Sequence, residues 1–195
     1  MSSGRLGVLA PTSLFCYNIT VNYRRYVTEN SYIFITVVTY DRRQLLIENI
    51  NVLRNSFRKI KKIYNFEIIA ICILPDHFHM IIKLVNGINF SKIISALKHS
   101  FSVDVGQVCP TYDLKLGYKN KREKGIWQRR FYEHTIRDEN DLNKHIDYIH
   151  YNSYKHLGIT PKNWRFSSFL KFVKNGYYEL DWLADEEMFE GIDCE

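Results

Sequence analysis

Apolar and polar positions fall into two rhythms along the chain. Ser31 to Tyr40 (SYIFITVVTY) is β-branched and aromatic throughout and reads as a strand. Ile50, Leu53, Phe57, Ile60 and Tyr64 then recur at helical spacing, with Arg54, Arg58, Lys59, Lys61 and Lys62 on the other faces. Phe66 to Leu74 and His77 to Leu84 read as two more strands, joined at the tight turn of Pro75-Asp76. Asn86-Gly87 breaks the chain, after which Phe90, Ile94, Leu97 and Phe101 mark a second amphipathic helix. Asp104 to Lys124 carries Pro110, two glycines and a cluster of lysines, and is expected to be a mobile loop. Phe131 to Ile136 predicts a fourth strand, Asp138 to Lys155 a third helix and Phe166 to Val173 a short fourth one.

The order β-α-β-β-α-β-α forces antiparallel pairing at the central hairpin. It predicts an α+β, ferredoxin-like (RRM-like) sheet with helices on one face. The Asp138–Lys155 helix is left to pack separately, near the other face. We expect one domain over residues 22–183, an extension outside the fold at 1–21 and an acidic tail at 184–195.

The same alternation places candidate chemistry. In His77-Phe78-His79, the two histidines share one face of their strand, while Phe78, Met80, Ile82 and Leu84 share the other. Two imidazoles side by side can hold one divalent metal ion. The plainer alternative, two ordinary polar positions on a half-exposed strand, is the commoner origin of such a bare triplet. On the third helix, Tyr148 and Asn152 lie four apart and project from one face. A tyrosine beside a metal is what phosphodiester transesterification needs, and an amide oxygen is a hard ligand suited to Mg²⁺ or Mn²⁺. Tyr151 and Tyr154 stand nearby as rivals, and a helix tyrosine is commonly a packing residue.

Composition adds a little. Lys and Arg outnumber Asp and Glu by 27 to 21, for a net charge of +6, which favours a polyanionic partner. Fourteen tyrosines and three tryptophans include rings that can stack on unpaired bases. Cys16, Cys72, Cys109 and Cys194 form no CxxC pair and no signal peptide precedes them, so free thiols in a reducing cytoplasm are expected. No apolar run approaches the roughly 18 residues of a membrane span.

Several separated blocks resemble one family. They are Tyr23-Arg24-Arg25-Tyr26, Leu74-Pro75-Asp76-His77-Phe78-His79, Gly125 to Asp138 (GIWQRRFYEHTIRD), His145 to Asn152 (HIDYIHYN), and Trp164 with Phe166 to Phe169. In this order they are similar to the REP-associated tyrosine transposases, relatives of the insertion-sequence-200-like single-tyrosine transposases of the His-hydrophobic-His (HUH) class. The resemblance runs from about Tyr23 to Leu183. It implies that His77 and His79 bind the metal, Tyr148 is the nucleophile and Asn152 the third ligand. It also implies ATP-independent cleavage and rejoining of single-stranded DNA at hairpin-containing repeats through a 5′-phosphotyrosine, in the cytoplasm and at the nucleoid. Arg24, Arg25, Arg129, Arg130, Arg137, Lys98 and Lys155 are then expected to follow the DNA backbone and hairpin stem, and Trp127 to stack on a base. Monomer and homodimer both remain open. The chain departs from the family where Ser153 replaces a proline and Leu157 a glycine, with Gly158 one position late, which predicts a longer helix. A nucleic-acid-binding module with an open sheet face, and a domesticated protein that binds without cutting, are the competing readings.

Overall fold

The computed structural model describes residues 30–85, 89–108 and 125–189, together with Ile192. The four strands β1 (Tyr32–Val38), β2 (Phe66–Ile73), β3 (His77–Leu84) and β4 (Tyr132–Thr135) form one antiparallel sheet in the order β2-β3-β1-β4. Alternation along these strands gives the sheet two apolar faces. Ile33, Ile35 and Val37 of β1 join Phe78, Met80, Ile82 and Leu84 of β3 beneath α1 (Ile50–Ile63) and α2 (Phe90–Val108). On the opposite face Phe34, Ala70, Cys72 and Ile81 lie beneath α3 (Glu139–Leu157). The protein thus has the α+β, ferredoxin-like plan expected, with two helices on one face and a separate helix on the other.

Two boundaries differ from the sequence pattern. The loop expected from Asp104 begins later, because α2 runs on to Val108. Val105 continues the apolar stripe of Phe101, and Asp104 Oδ2 receives Lys59 Nζ from α1 at 2.8 Å. Residues 109–124 lie outside the described residues, as do Arg24, Arg25 and the N-terminal extension. The short last helix, α4 (Phe169–Lys174), also starts three residues late. Ser167 instead forms an antiparallel bridge to Cys72 of β2, with Ile73 N–H donating to Phe166 O at 2.9 Å and Ser168 N–H to Ile71 O at 2.8 Å. This pairing covers an edge strand that would otherwise present open backbone groups.

Helix α3 is fixed at both ends. The Asp138 carboxylate accepts the Asp141 N–H at 2.8 Å as its N-cap. At the other end Gly158 takes the left-handed conformation at φ 65°, donating to Tyr154 O at 2.9 Å, while Ile159 N–H reaches back to Ser153 O at 3.2 Å. The late glycine therefore does lengthen the helix, through Leu157. Its far side is held by a buried polar chain. His150 bonds Ser168 Oγ at 2.8 Å, and the Tyr178 hydroxyl donates to Asp147 at 2.6 Å. Ala184 and Phe189, within the segment set apart as an acidic tail, fold back into the α3 core.

Candidate active site

The strand register brings His77 and His79 beneath α3. Thr36 of β1 pairs with His79, and its hydroxyl lies 2.9 Å from His79 Nδ1. At the hairpin turn, His77 Nδ1 donates to Asp76 Oδ1 at 2.6 Å. Asp76 is held in place by its own carbonyl, which accepts both N–H and hydroxyl of Thr39, and Arg42 bonds its other oxygen at 3.2 Å. Burial pushes the Asp76 carboxyl up, but the hydrogen bond and charge of His77, with Arg42, outweigh it and hold the group below its usual range. A carboxylate on Nδ1 fixes the tautomer and turns the lone pair of Nε2 inward, the arrangement of a metal-binding histidine.

The inward atoms meet no protein partner. Nε2 of His77, Nε2 of His79 and Oδ1 of Asn152 are all buried without a hydrogen bond. Burial above all, with smaller electrostatic effects from His77, His156, Lys155 and Arg42, drives the His79 pKa well below its ordinary value, so its ring stays neutral and able to donate a lone pair. Asn152 spends its amide N–H on Tyr148 O at 2.6 Å, which leaves its oxygen buried without a hydrogen bond. Orphaned buried polar atoms of this kind are rare in folded proteins, and this donor set fits a divalent cation.

Helix α3 supplies one residue that pattern reading missed. His156 lies one turn beyond Asn152, with its ring centroid 4.8 Å from that of His77. His77, His79 and His156 each offer a ligand atom within 4.8 Å of the others. The signal was present, because Tyr148, Asn152 and His156 repeat every four residues. Tyr148 itself packs edge-on against His79, centroids 5.4 Å apart, and against Phe189 at 5.6 Å. It is 1% exposed. Tyr151 shares Phe189 with Tyr148 but otherwise packs against Tyr154, whereas the ring contact with His79 belongs to Tyr148. Burial, then Glu186, Tyr154 and Asp185, raises the Tyr151 pKa and keeps that hydroxyl protonated.

A second cluster lies where β4 meets the start of α3. Asp141 Oδ2 accepts from His134 Nε2 at 2.8 Å, from Arg137 N–H at 2.9 Å and from Arg137 Nε at 3.2 Å. His145 Nδ1 lies 3.1 Å from Asp141 Oδ1 and donates to Asp141 O at 2.8 Å. These nitrogens are already committed to the Asp141 residue, so the cluster works as a clamp between strand and helix. Burial raises the Asp141 carboxyl, but the bonds from His134 and Arg137 prevail and lower it to about 2.

The expected DNA contacts divide. Arg129 and Arg130 are exposed on the segment leading into β4, and Arg137 is exposed while bonded to Asp141. Lys98 Nζ is turned onto Gln128 O at 2.7 Å and Arg129 O at 3.3 Å, so it braces that segment. Trp127 corrects the stacking expectation. Its ring lies in the core against Phe101 and Phe78, with Nε1–H donating to Lys98 O at 3.1 Å. Lys155 stands beside Tyr148. An open sheet face for stacked bases, as a binding module would need, is excluded by α1 and α2 on one side and α3 on the other.

The family model described as "Transposase IS200 like" matches residues 26–152. A candidate REP-associated tyrosine transposase of Haemophilus influenzae is 42% identical over 173 residues, covering 86% of this chain and 96% of that protein. A REP-associated tyrosine transposase of Escherichia coli is 37% identical over 166 residues, covering 84% of this chain and 91% of its own. The solved structure of a REP-associated tyrosine transposase bound to a REP hairpin superposes with a TM-score of 0.68 at 36% identity, covering 85% of this chain and 92% of that one.

Proposed function

This chain belongs to the IS200-like transposase family, among the REP-associated tyrosine transposases, and on that premise we propose that it cuts and rejoins single-stranded DNA at hairpin-containing repeats. The observation that carries the reading is the cluster of His77, His79 and His156, whose ligand atoms lie within 4.8 Å of one another beside the Tyr148 ring, with His77 Nε2, His79 Nε2 and Asn152 Oδ1 each buried without a hydrogen bond. His77, His79 and Asn152, with His156, would hold Mg²⁺ or Mn²⁺, and a bound ion supplies Lewis-acid polarisation of the scissile phosphate.

The chain's own residues do the rest. Tyr148 Oη attacks phosphorus, the P–O3′ bond breaks, and a 5′-phosphotyrosine and a free 3′-OH result. Energy of the broken diester is retained in the tyrosyl ester, so rejoining requires no ATP. Asp76 and Thr36 hold the imidazoles in orientation. A hairpin partner is supported by the related structure bound to one.

The deciding experiment incubates purified protein with labelled single-stranded DNA containing candidate hairpins, with Mn²⁺ or Mg²⁺ against EDTA. Tyr148→Phe should remove the covalent adduct while DNA binding persists, and Tyr151→Phe should not. An adduct mapped by mass spectrometry to Tyr151 would refute the nucleophile assignment. Hairpin binding with no cleavage in either metal would favour a domesticated, non-cutting protein.

A further inference from the structure

Helical spacing puts Lys155 two turns after Tyr148, on the same stripe of α3. The lysine does not extend straight into solvent. Its Nζ lies 5.2 Å from the centre of the Tyr148 ring and 3.4 Å from Tyr148 Oη. Lys155 is exposed while the tyrosine beside it is buried, so the ammonium is the solvent-facing partner of a covered phenol oxygen. A lysine serving only as a phosphate contact has no need of that position.

We propose that Lys155 is a catalytic residue whose ammonium holds the phenolic oxygen of Tyr148 and stabilises negative charge on it in both directions of the reaction. The proposal rests on Tyr148 being the nucleophile. During cleavage the Oη–P bond forms, the P–O3′ bond breaks, the phenolic proton passes to water and the 3′ oxygen takes a proton from water. During rejoining a 3′-OH attacks the phosphotyrosine, the Oη–P bond breaks, and its electron pair is left on Oη beside Nζ. A fixed donor aimed at an oxygen that gains charge only as bonds change favours the transition state over the bound ground state. Its effect therefore belongs in the rate, whereas a phosphate contact belongs in affinity and salt dependence.

The test compares wild type with Lys155→Met and Lys155→Arg on a hairpin-bearing single-stranded oligonucleotide in Mn²⁺. Adduct formation is followed in single turnover at saturating DNA, and affinity is measured separately across salt concentrations. Lys155→Met is expected to bind DNA with an unchanged salt slope and to form adduct roughly 100- to 1,000-fold more slowly, the scale of losing one donor to a developing charge. Lys155→Arg should keep most of the rate, and methylammonium should partly restore Lys155→Ala, which a purely structural role would not permit. Rejoining, started by adding a 3′-OH strand to isolated adduct, should slow alongside cleavage. Should Lys155→Met fail to give a normal far-ultraviolet spectrum and melt, Lys155→Gln takes its place against Lys155→Arg. Adduct formation at the wild-type rate in the neutral variant overturns the proposal. So does weaker binding with an unchanged rate once bound, which is the signature of a phosphate contact. Wild-type protein that forms no adduct on the hairpin overturns the Tyr148 reading itself, a result separable from both.

Discussion

Among the described residues, two histidine clusters lie against α3, and they are built in opposite ways. Around His134, Asp141 and His145 a carboxylate sits in the middle, and ring nitrogens point at it. Around His77, His79 and Asn152 the carboxylate sits outside, at Asp76, and the inward atoms are left without hydrogen bonds. Leaving a buried polar group unsatisfied costs about 1–3 kcal/mol, so the second arrangement lowers the stability of the metal-free protein while the first raises it. A count of histidines does not tell a clamp from a metal centre. The direction of the uncommitted lone pairs does.

The largest expected difference between the clusters is in chemistry. His77→Ala or His79→Ala should slow adduct formation by roughly a hundredfold or more, with DNA binding largely kept. His134→Ala should stay within a few-fold, as read on denaturing gels. Full cleavage by the His77 variant would erase the distinction. Thermal melts offer the next contrast. Mn²⁺ at a hundred times its dissociation constant should stabilise the native state by about 2.7 kcal/mol, a rise of several degrees in a domain of this size. His77→Ala should abolish that rise and His134→Ala should preserve it.

Acid stability tests the clamp. The Asp141 carboxyl is lowered from its ordinary value of 3.8 to about 2 in the folded state. Between those values the unfolded chain binds a proton that the native protein does not, so stability falls as pH drops from 3.8 towards 2. Replacement by Asn should cost about 2 kcal/mol near neutrality and flatten that acid limb, measured by urea unfolding over a pH series. An unchanged acid limb would show that the Asp141 bonds add nothing. The smallest effect is expected at the basic rim beside the clamp. Reversing Arg129 and Arg130 to Glu should weaken DNA binding and reduce its salt slope by about one for each phosphate no longer neutralised. An unchanged slope would remove this segment from the interface.

Much of this was legible in the chain. The two-residue period of β3 told which face His77 and His79 share, and the four-residue period of α3 paired Tyr148 with Asn152. His156 lies past the expected helix end at Lys155, although the same four-residue period continues through it into the last turn of α3. Asp76 escaped for a different reason, since its bond to His77 depends on how the turn folds rather than on spacing. Trp127 was misjudged because basic neighbours suggested an interface, whereas its ring fills space between Phe78 and Phe101. Likewise the acidic character of residues 184–189 concealed the apolar anchor at Phe189.

Cys72 lies fully buried on β2, its thiol in contact with the α3 backbone at Ser153. Burial pushes that thiol up to about 12, so it holds almost no thiolate and is inert while covered. Modification by a thiol reagent must then wait for α3 to lift, and its rate is the reagent's intrinsic rate scaled by the fraction of time the helix is away. With Cys16, Cys109 and Cys194 changed to Ser, the remaining sulfur becomes a built-in clock for how often the nucleophile leaves the histidines. DNA that locks the helix down would slow that clock, and DNA that must draw Tyr148 outward would quicken it.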